Sequence, residues 1–231
     1  MKQTIRFLAC IVLGCCLSSC AGNSYYTVMV NGYTDPGTPA PVKPGGSFFV
    51  IENQETKNPL LEKEIKEKLT RLLLIRGYPV TTFEKADYYL LFGYGMGEPR
   101  SVSVVTPDYY GSIGWGGGYG WGGRGGWGGW GGWGGGPSVS VGIPWGGSAN
   151  SATLYDRWLL IKVVAGPAYR AQKTSPPVWV GEARSAGASS DLRLVLNYLL
   201  VADFKEFGKN TGKAVTVEIN ENSPEVYSLT H

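Results

Sequence analysis

Residues 47–96, SFFVIENQETKNPLLEKEIKEKLTRLLLIRGYPVTTFEKADYYLLFGYGM, contain the pattern that decides the fold. The apolar run at residues 47–51 predicts a strand. Asn58 suits a helix N-cap, Pro59 the first helical position, and Gly77 the left-handed residue that ends a helix. Between them apolar residues recur at helical spacing, at Leu61, Ile65, Leu69 and Leu72. Residues 87–96 alternate and are rich in aromatics, which predicts a second strand and a right-handed strand–helix–strand crossover.

The rest of the chain extends this unit into one α+β domain. Further strands are predicted at residues 25–30, 101–105, 153–165, 177–185 and 214–219. A second helix begins after Ser190 or Asp191, continues to Phe207 and ends at Gly208. Its predicted core face consists of Leu192, Val195, Leu199 and Ala202. Two helices and six to eight strands indicate a mixed, mostly antiparallel sheet with both helices over one face.

The N-terminus has the pattern of a secretory signal. A basic start at Lys2 and Arg6 precedes an apolar run at residues 7–17, which is too short for a membrane span of about 20 residues. Leu17-Ser18-Ser19-Cys20 then resembles a lipobox, the processing site of bacterial lipoproteins. The resemblance implies cleavage before Cys20, a diacylglyceryl thioether on its sulfur and an acylated N-terminus. The alternative is ordinary secretion with an incidental cysteine.

Cysteine usage and charge restrict the chemistry of the mature chain. The four cysteines are Cys10, Cys15, Cys16 and Cys20. Three leave with the signal and lipid consumes the fourth, so no thiol remains for a disulfide, a nucleophile or a metal. The precursor has 21 basic and 18 acidic residues, and loss of Lys2 and Arg6 leaves 19 against 18. This balance gives no basic field for nucleic acid, and we expect no metal and no small-molecule cofactor.

The chain therefore divides into a signal, an anchored segment, one domain and a tail. The predicted bounds are residues 1–19, 20–46, 47–219 and 220–231, with a glycine- and tryptophan-rich insertion at residues 107–151 and a frayed tail. Residue 21 is Ala, not the Asp that retains lipoproteins in the inner membrane of enteric-type bacteria. Under that sorting rule the expected location is the outer membrane, facing the periplasm.

Three segments of the predicted domain resemble the bacterial lipoprotein family called domain of unknown function 4136. They are Asn58-Pro59-Leu60-Leu61-Glu62-Lys63-Glu64-Ile65 with Arg76-Gly77-Tyr78, Ala86-Asp87-Tyr88-Tyr89-Leu90-Leu91-Phe92-Gly93-Tyr94-Gly95, and Pro177-Val178-Trp179-Val180-Gly181-Glu182-Ala183. The resemblance covers roughly residues 25–207 and departs from the family at residues 166–176, where a shorter turn is expected. It implies a lipobox and a periplasmic or surface α+β domain, and it supplies no catalytic residues.

The insertion is the most unusual segment of the chain. Residues 111–147 contain twenty glycines and six of the eight tryptophans, and Arg124 is the only charge between Asp108 and Asp156. The tryptophans are Trp115, Trp121, Trp127, Trp130, Trp133 and Trp145. Ordering about 35 residues costs roughly 35–70 kcal/mol of backbone entropy, more than burial of six indoles returns. Indole faces suit sugar rings, aromatic partners or the lipid headgroup zone, and the alternative is a low-complexity loop without a ligand.

Enzyme chemistry is poorly represented. His231 is the only histidine and the last residue of the sequence, which argues against Ser-His-Asp and Cys-His catalysis and against histidine metal clusters. A carboxylate-dependent hydrolase would have to use Asp156, Glu182 and Asp191. The structural interpretation of these residues is cross-strand charge pairing, with Arg157 and Arg184, and a helix cap at Asp191.

The sequence therefore predicts a non-enzymatic, membrane-anchored cell-envelope lipoprotein that acts as a scaffold or interaction module. An envelope protein would dock on a sheet edge or on the apolar outer side of the second helix, at Leu194, Tyr198 and Val201. The alternative is a module that binds glycan, either peptidoglycan or exopolysaccharide, through the tryptophans.

Overall fold

A seven-stranded mixed sheet forms the centre of the protein. The computed structural model describes residues 24–35, 37, 42–105, 114–115, 139–140, 149–172 and 175–230. The strands in these residues are β1 (Tyr25–Thr34), β2 (Phe48–Ile51), β3 (Tyr88–Met96), β4 (Arg100–Val105), β5 (Gly114–Trp115), β6 (Val139–Ser140), β7 (Ala149–Ala165), β8 (Pro177–Gly187) and β9 (Val215–Asn220). The helices are α1 (Pro59–Ile75), α2 (Gly166–Gln172), α3 (Leu192–Lys205) and α4 (Pro224–Thr230). This is the α+β fold that the sequence predicts.

The sheet has the order β2-β3-β7-β8-β1-β9, and β4 pairs with the first half of β7. Only the β2–β3 pair is parallel among the pairs of this sheet. The β2–α1–β3 unit thus confirms the predicted strand–helix–strand pattern, and β7 and β8 confirm the predicted antiparallel pair. Strands β5 and β6 form a separate two-stranded ladder.

Local signals explain where the two long helices begin and end. The Asn58 side chain accepts a hydrogen bond from Leu61 N at 3.1 Å, and Asp191 accepts one from Leu194 N at 3.0 Å. Each cap satisfies one of the free N–H groups of a first helical turn. Gly77 has φ +80°, the left-handed conformation that glycine adopts without steric cost.

Both long helices pack on one face of the sheet and form the main core. Four side chains of α1 lie in it: Ile65, Leu69, Leu72 and Leu73. At one end of this core Phe207 packs against Trp179 and Phe204, with ring centroids 4.8 Å away in each case. Complete burial of one such aromatic stabilises the fold by about 1.5–3 kcal/mol.

A smaller core lies on the opposite face of the sheet, under α2. It contains Ala86, Tyr89 and Val164. The Arg170 guanidinium of α2 donates hydrogen bonds to Ala86 O and Tyr89 Oη, each at 2.9 Å, and these bonds hold α2 against the start of β3. The sequence prediction treated residues 166–176 as a loop, and a one-turn apolar signal in GPAYRAQ is too short to identify this helix without its tertiary contacts.

The end of the chain also differs from the prediction. Instead of a frayed tail, α4 packs into the main core through Val226 and Leu229. Arg71 of α1 donates a hydrogen bond to Ser228 O, which joins α4 to the first long helix. Strand bounds differ by up to four residues: β1 continues to Thr34, and β7 begins inside the predicted insertion.

Candidate interaction surface

Most of the predicted contact residues lie outside the described residues. These are Cys20 and the tryptophans Trp121, Trp127, Trp130, Trp133 and Trp145. His231, which is predicted to take no part in catalysis, also lies outside the described residues. Trp115 lies in β5, where its backbone is opposite Val139. The described residues therefore locate the points where these segments join the domain.

Strand pairing defines one end of the domain, which we name the lower end. There β7 residue Tyr155 lies opposite Gly187, the last residue of β8, and Arg157 lies opposite Met96, the last residue of β3. Met29 of β1 and Trp158 of β7 both lie opposite the same residue of β8. Counting back along β1, the first strand starts level with the lower ends of β3 and β8. The opposite end is the upper end.

Both long helices also begin at the lower end. Arg193 Nε lies 2.7 Å from Glu64 Oε2, and Lys68 Nζ lies 2.7 Å from Asn197 Oδ1. Four residues further along α1, from Glu64 to Lys68, the partner on α3 is also four residues further along, from Arg193 to Asn197. The two helices therefore lie side by side and run in the same direction. Because α3 follows β8, it starts where β8 ends.

The hairpin of β4 and β7 continues beyond the rest of the lower end. Arg100 lies opposite Leu154, and Val105 lies opposite Ala149. From Leu154 to Ala149 the strand advances about 17 Å at 3.4 Å per residue. Residues 106–148 leave and re-enter the domain at this tip, and they include residues 111–147, which we name the glycine–tryptophan segment. Both junctions of that segment are therefore on the lower side.

Exposed apolar side chains also accumulate at the lower end. Four large apolar residues are exposed there: Tyr25 (55%), Leu60 (80%), Met96 (36%) and Leu194 (43%). Leu74 and Ile75 are exposed at the upper end of α1, and Tyr227 is exposed on α4. A single exposed leucine is ordinary in a soluble domain, whereas several from separate elements at one end suggest a contact surface.

The predicted docking face on the second helix is wrong as a surface. Leu194 is exposed, but Tyr198 is 7% and Val201 3% exposed, and both belong to the main core. The Tyr198 ring stacks on Tyr26 of β1 with centroids 4.5 Å apart. The second apolar side of α3 is apolar because β1 and α4 cover it, and the sequence prediction had assigned no helix to residues 224–230.

Arg157 is a buried cation that sequence reasoning placed incorrectly in a cross-strand ion pair. It is 1% exposed and donates to Tyr155 O and Gly187 O at 2.7 Å and to the Tyr26 hydroxyl. It forms no ion pair with the described residues. Its hydrogen bonds instead connect the lower ends of β7 and β8 with each other and with β1.

The three carboxylates considered for catalysis have structural partners. Asp156 Oδ1 lies 2.9 Å from Arg100 Nη2, diagonally across the β4–β7 pair. Glu182 pairs with Arg184 on its own strand, not across strands as predicted. Asp191 caps α3, as predicted. The three groups thus belong to separate local contacts.

Asp203 is a buried acid that sequence reasoning missed. It lies on α3, is fully buried, and neither carboxyl oxygen has a hydrogen-bond partner among the described residues. Burial raises the pKa of the Asp203 carboxyl well above its ordinary value, and the Glu182 carboxylate adds to the increase. The position could have been found from the sequence, because Asp203 follows Leu199 by four residues and so shares the core face of the helix.

Gly181 of β8 makes room for this acid. A Cβ at residue 181 would lie 2.5 and 2.6 Å from the two Asp203 carboxyl oxygens, closer than real contacts allow. The neighbouring Trp179 is fully buried, and its indole N–H donates to Lys209 O at 2.9 Å. Asp203 is therefore enclosed by rigid groups.

No described helix is both long enough and apolar enough to cross a bilayer. The same residues contain no group of three or more His, Cys, Asp or Glu side chains that could hold a metal ion.

Comparison with known proteins gives little more. No protein-family model matches the chain, and no curated protein matches it. The chain is similar to a PDZ domain protein from Parabacteroides distasonis at 14% identity and a TM-score of 0.42, over 85% of this chain but only 39% of that one. It is also similar to the PelC dodecamer from Paraburkholderia phytofirmans at 10% identity and a TM-score of 0.37, over 79% of this chain and 98% of that one. Scores this low carry no information about function.

Proposed function

We propose that the protein is a lipid-anchored, non-enzymatic interaction module of the bacterial cell envelope, of the kind that the 4136 family resemblance implies. Cys20 would carry the lipid, and the folded domain would present the glycine–tryptophan segment to a protein of the envelope. The proposed location is the outer membrane, facing the periplasm.

The observation that carries this proposal is the position of three junctions at the lower end. Strand β1 begins there, five residues after Cys20, and the hairpin of β4 and β7 carries both ends of residues 106–148 past the same end. An anchor and a tryptophan-rich segment that leave a domain on one side can act on one surface together. An anchor at the upper end would instead be separated from the tryptophan-rich segment by the full length of the strands.

The charged groups support a role without catalysis. Asp156, Glu182 and Asp191 each serve a local ion pair or a helix cap. A glycosidase-type mechanism needs two carboxyl groups that flank one bond, about 5–10 Å apart, in a site that substrate can enter. Asp203 does not meet that need either, because it is fully buried in the main core.

The anchor is tested first, by expression of the full chain with and without Cys20→Ser in a bacterium supplied with a labelled fatty acid. We expect label and membrane fractionation for the original chain, and loss of both for Cys20→Ser. An unlabelled original chain would overturn the anchor.

The interaction role is tested by co-sedimentation with isolated envelopes and with purified sacculi. The full chain is compared with a variant that lacks residues 111–147. The lipid anchor alone holds some of the protein on envelopes. We expect the deletion variant to be retained by envelopes only to that extent, and we expect the two chains to sediment equally with sacculi. Sacculus binding that disappears with the deletion would instead identify a glycan-binding module, and identical behaviour of both chains would contradict a role for the segment.

A further inference from the structure

We propose that the lower end of the domain faces the bilayer, with Tyr25, Leu60, Met96 and Leu194 at the headgroup zone. Because the β4–β7 hairpin extends about 17 Å beyond this end, the strands must tilt so that the hairpin lies along the membrane surface. This inference rests on the proposed lipid anchor at Cys20 and adds to it a defined contact between the folded domain and lipid.

The length of the tether restricts which surface can face the membrane. Tyr25 is the fifth residue after Cys20. An extended chain spans at most about 3.6 Å per residue, so the Cα atoms of Cys20 and Tyr25 lie within about 18 Å of each other. From Tyr155 to Ala165 strand β7 rises about 33 Å. The upper end is thus nearly twice as far from Tyr25 as the tether can reach, which excludes it as the membrane-facing end.

The side chains at the lower end have the character that this position requires. Tyr25 and Leu60 are more than half exposed, and they come from separate elements, as do Met96 and Leu194. Tyrosine is enriched at the membrane–water boundary because its ring is apolar and its hydroxyl stays hydrated. Transfer of exposed leucine and methionine side chains from water into the same zone is favourable by about 25 cal/mol per Å² of apolar surface buried.

Charge does not oppose this contact. Two ion pairs neutralise cations near this end, Arg193–Glu64 between α3 and α1 and Arg100–Asp156 across β4 and β7. A balanced surface approaches zwitterionic and anionic lipid without strong repulsion. We therefore expect the contact to depend little on salt, in contrast to binding through a polybasic patch.

The test uses the anchored chain with one introduced cysteine at a time. Since lipid consumes Cys20, Leu60→Cys or Leu194→Cys provides a single thiol for a nitroxide label. Leu74→Cys is the matched control, because it is an exposed leucine of the same helix (56%) about 21 Å from Leu60 along the axis. The labelled proteins are reconstituted into vesicles of three parts phosphatidylethanolamine and one part phosphatidylglycerol.

Collision rates of the label with oxygen, which enters lipid, and with a water-soluble nickel complex report its depth. We expect a several-fold higher oxygen-to-nickel ratio at residues 60 and 194 than at residue 74, at low and at high salt. Equal ratios at all three positions on vesicle-bound protein would overturn the proposal. Failure of the anchor is a separate outcome, because the original chain would then not float with the vesicles or carry a fatty acid, and the surface proposal would be overturned along with its premise.

Met96→Cys supplies an independent check from β3, should either leucine substitution disturb a helix. It should give the same high ratio, and a low ratio at residue 96 with a normal circular dichroism spectrum would contradict the contact.

Discussion

Replacement of the buried acid by its neutral isostere, Asp203→Asn, should change how stability depends on pH. In the folded protein, burial raises the pKa of the Asp203 carboxyl well above the ordinary value, whereas in the unfolded chain it returns to about 3.9. Between these two pKa values the folded state holds one proton more than the unfolded state. The free energy of unfolding therefore falls as pH rises, by about 1.4 kcal/mol per pH unit from this group.

The stability that this group provides is complete below pH 4 and is lost as pH rises to the folded-state pKa. Asparagine has nearly the same shape but does not titrate, so the variant lacks this slope. The difference in unfolding free energy, variant minus original, should become more positive by about 1.4 kcal/mol per pH unit above pH 4 and level off at the folded-state pKa. All other titrating groups occur in both proteins and cancel in the difference.

The assay is urea denaturation of both proteins at a series of pH values, followed by tryptophan fluorescence. An infrared band of a protonated carboxyl group, present in the original protein and absent in the variant, provides an independent readout. Two parallel stability curves with no such band would refute the assignment of a protonated acid at this position. The absolute offset between the curves is not decisive, because a buried amide also requires hydrogen-bond partners.

Substitutions at three further positions test the contacts and the cap of the helices by urea midpoint and slope. Gly181→Ala should lose about 1–3 kcal/mol because the added methyl group overlaps the Trp179 ring and the Asp203 carboxyl; an unchanged midpoint would show that both groups can move away. Asn197→Ala should cost about 1.5–3 kcal/mol, since it removes a 2.7 Å hydrogen bond from the buried Lys68 ammonium, and Asn197→Asp should restore part of the loss. Asp191→Ala should cost about 1 kcal/mol by removing the N-cap of α3, with Asp191→Ser near the original stability; equal losses for both would argue against capping.

The β2–α1–β3 unit could be predicted from the sequence because its signals are local. A cap at Asn58, a proline at the first helical position and a glycine at residue 77 mark the two ends of α1, and the apolar spacing between them marks its core face. Each of these signals acts within a few residues of the structure that it causes. The same is true of the cap at Asp191.

The status of Tyr198 and Val201 could not be predicted in this way. An α-helix with two apolar sides is either buried on both or exposed on one, and the choice depends on what else packs against it. Here the deciding elements are β1, through the Tyr26 ring, and α4, through Val226 and Leu229. Seven residues of helix with two buried side chains give too weak a local signal to reveal that cover.

The position of β1 within the sheet connects the anchor to the core. Tyr25–Val30 pair with β9 on one side, and Met29–Thr34 pair with β8 on the other. A tether attached to an edge strand could peel that strand away one hydrogen bond at a time. In β1 the ladder to β8 begins only at Met29, so a pull on the proposed anchor at Cys20 would act first on the β9 ladder at residues 25–28 and then on both ladders at Met29 and Val30. Val28 and Val30 are also core residues, so packing holds the strand as well. The arrangement therefore joins the lower end to the main core of the domain, which a surface that must keep its orientation against a bilayer requires.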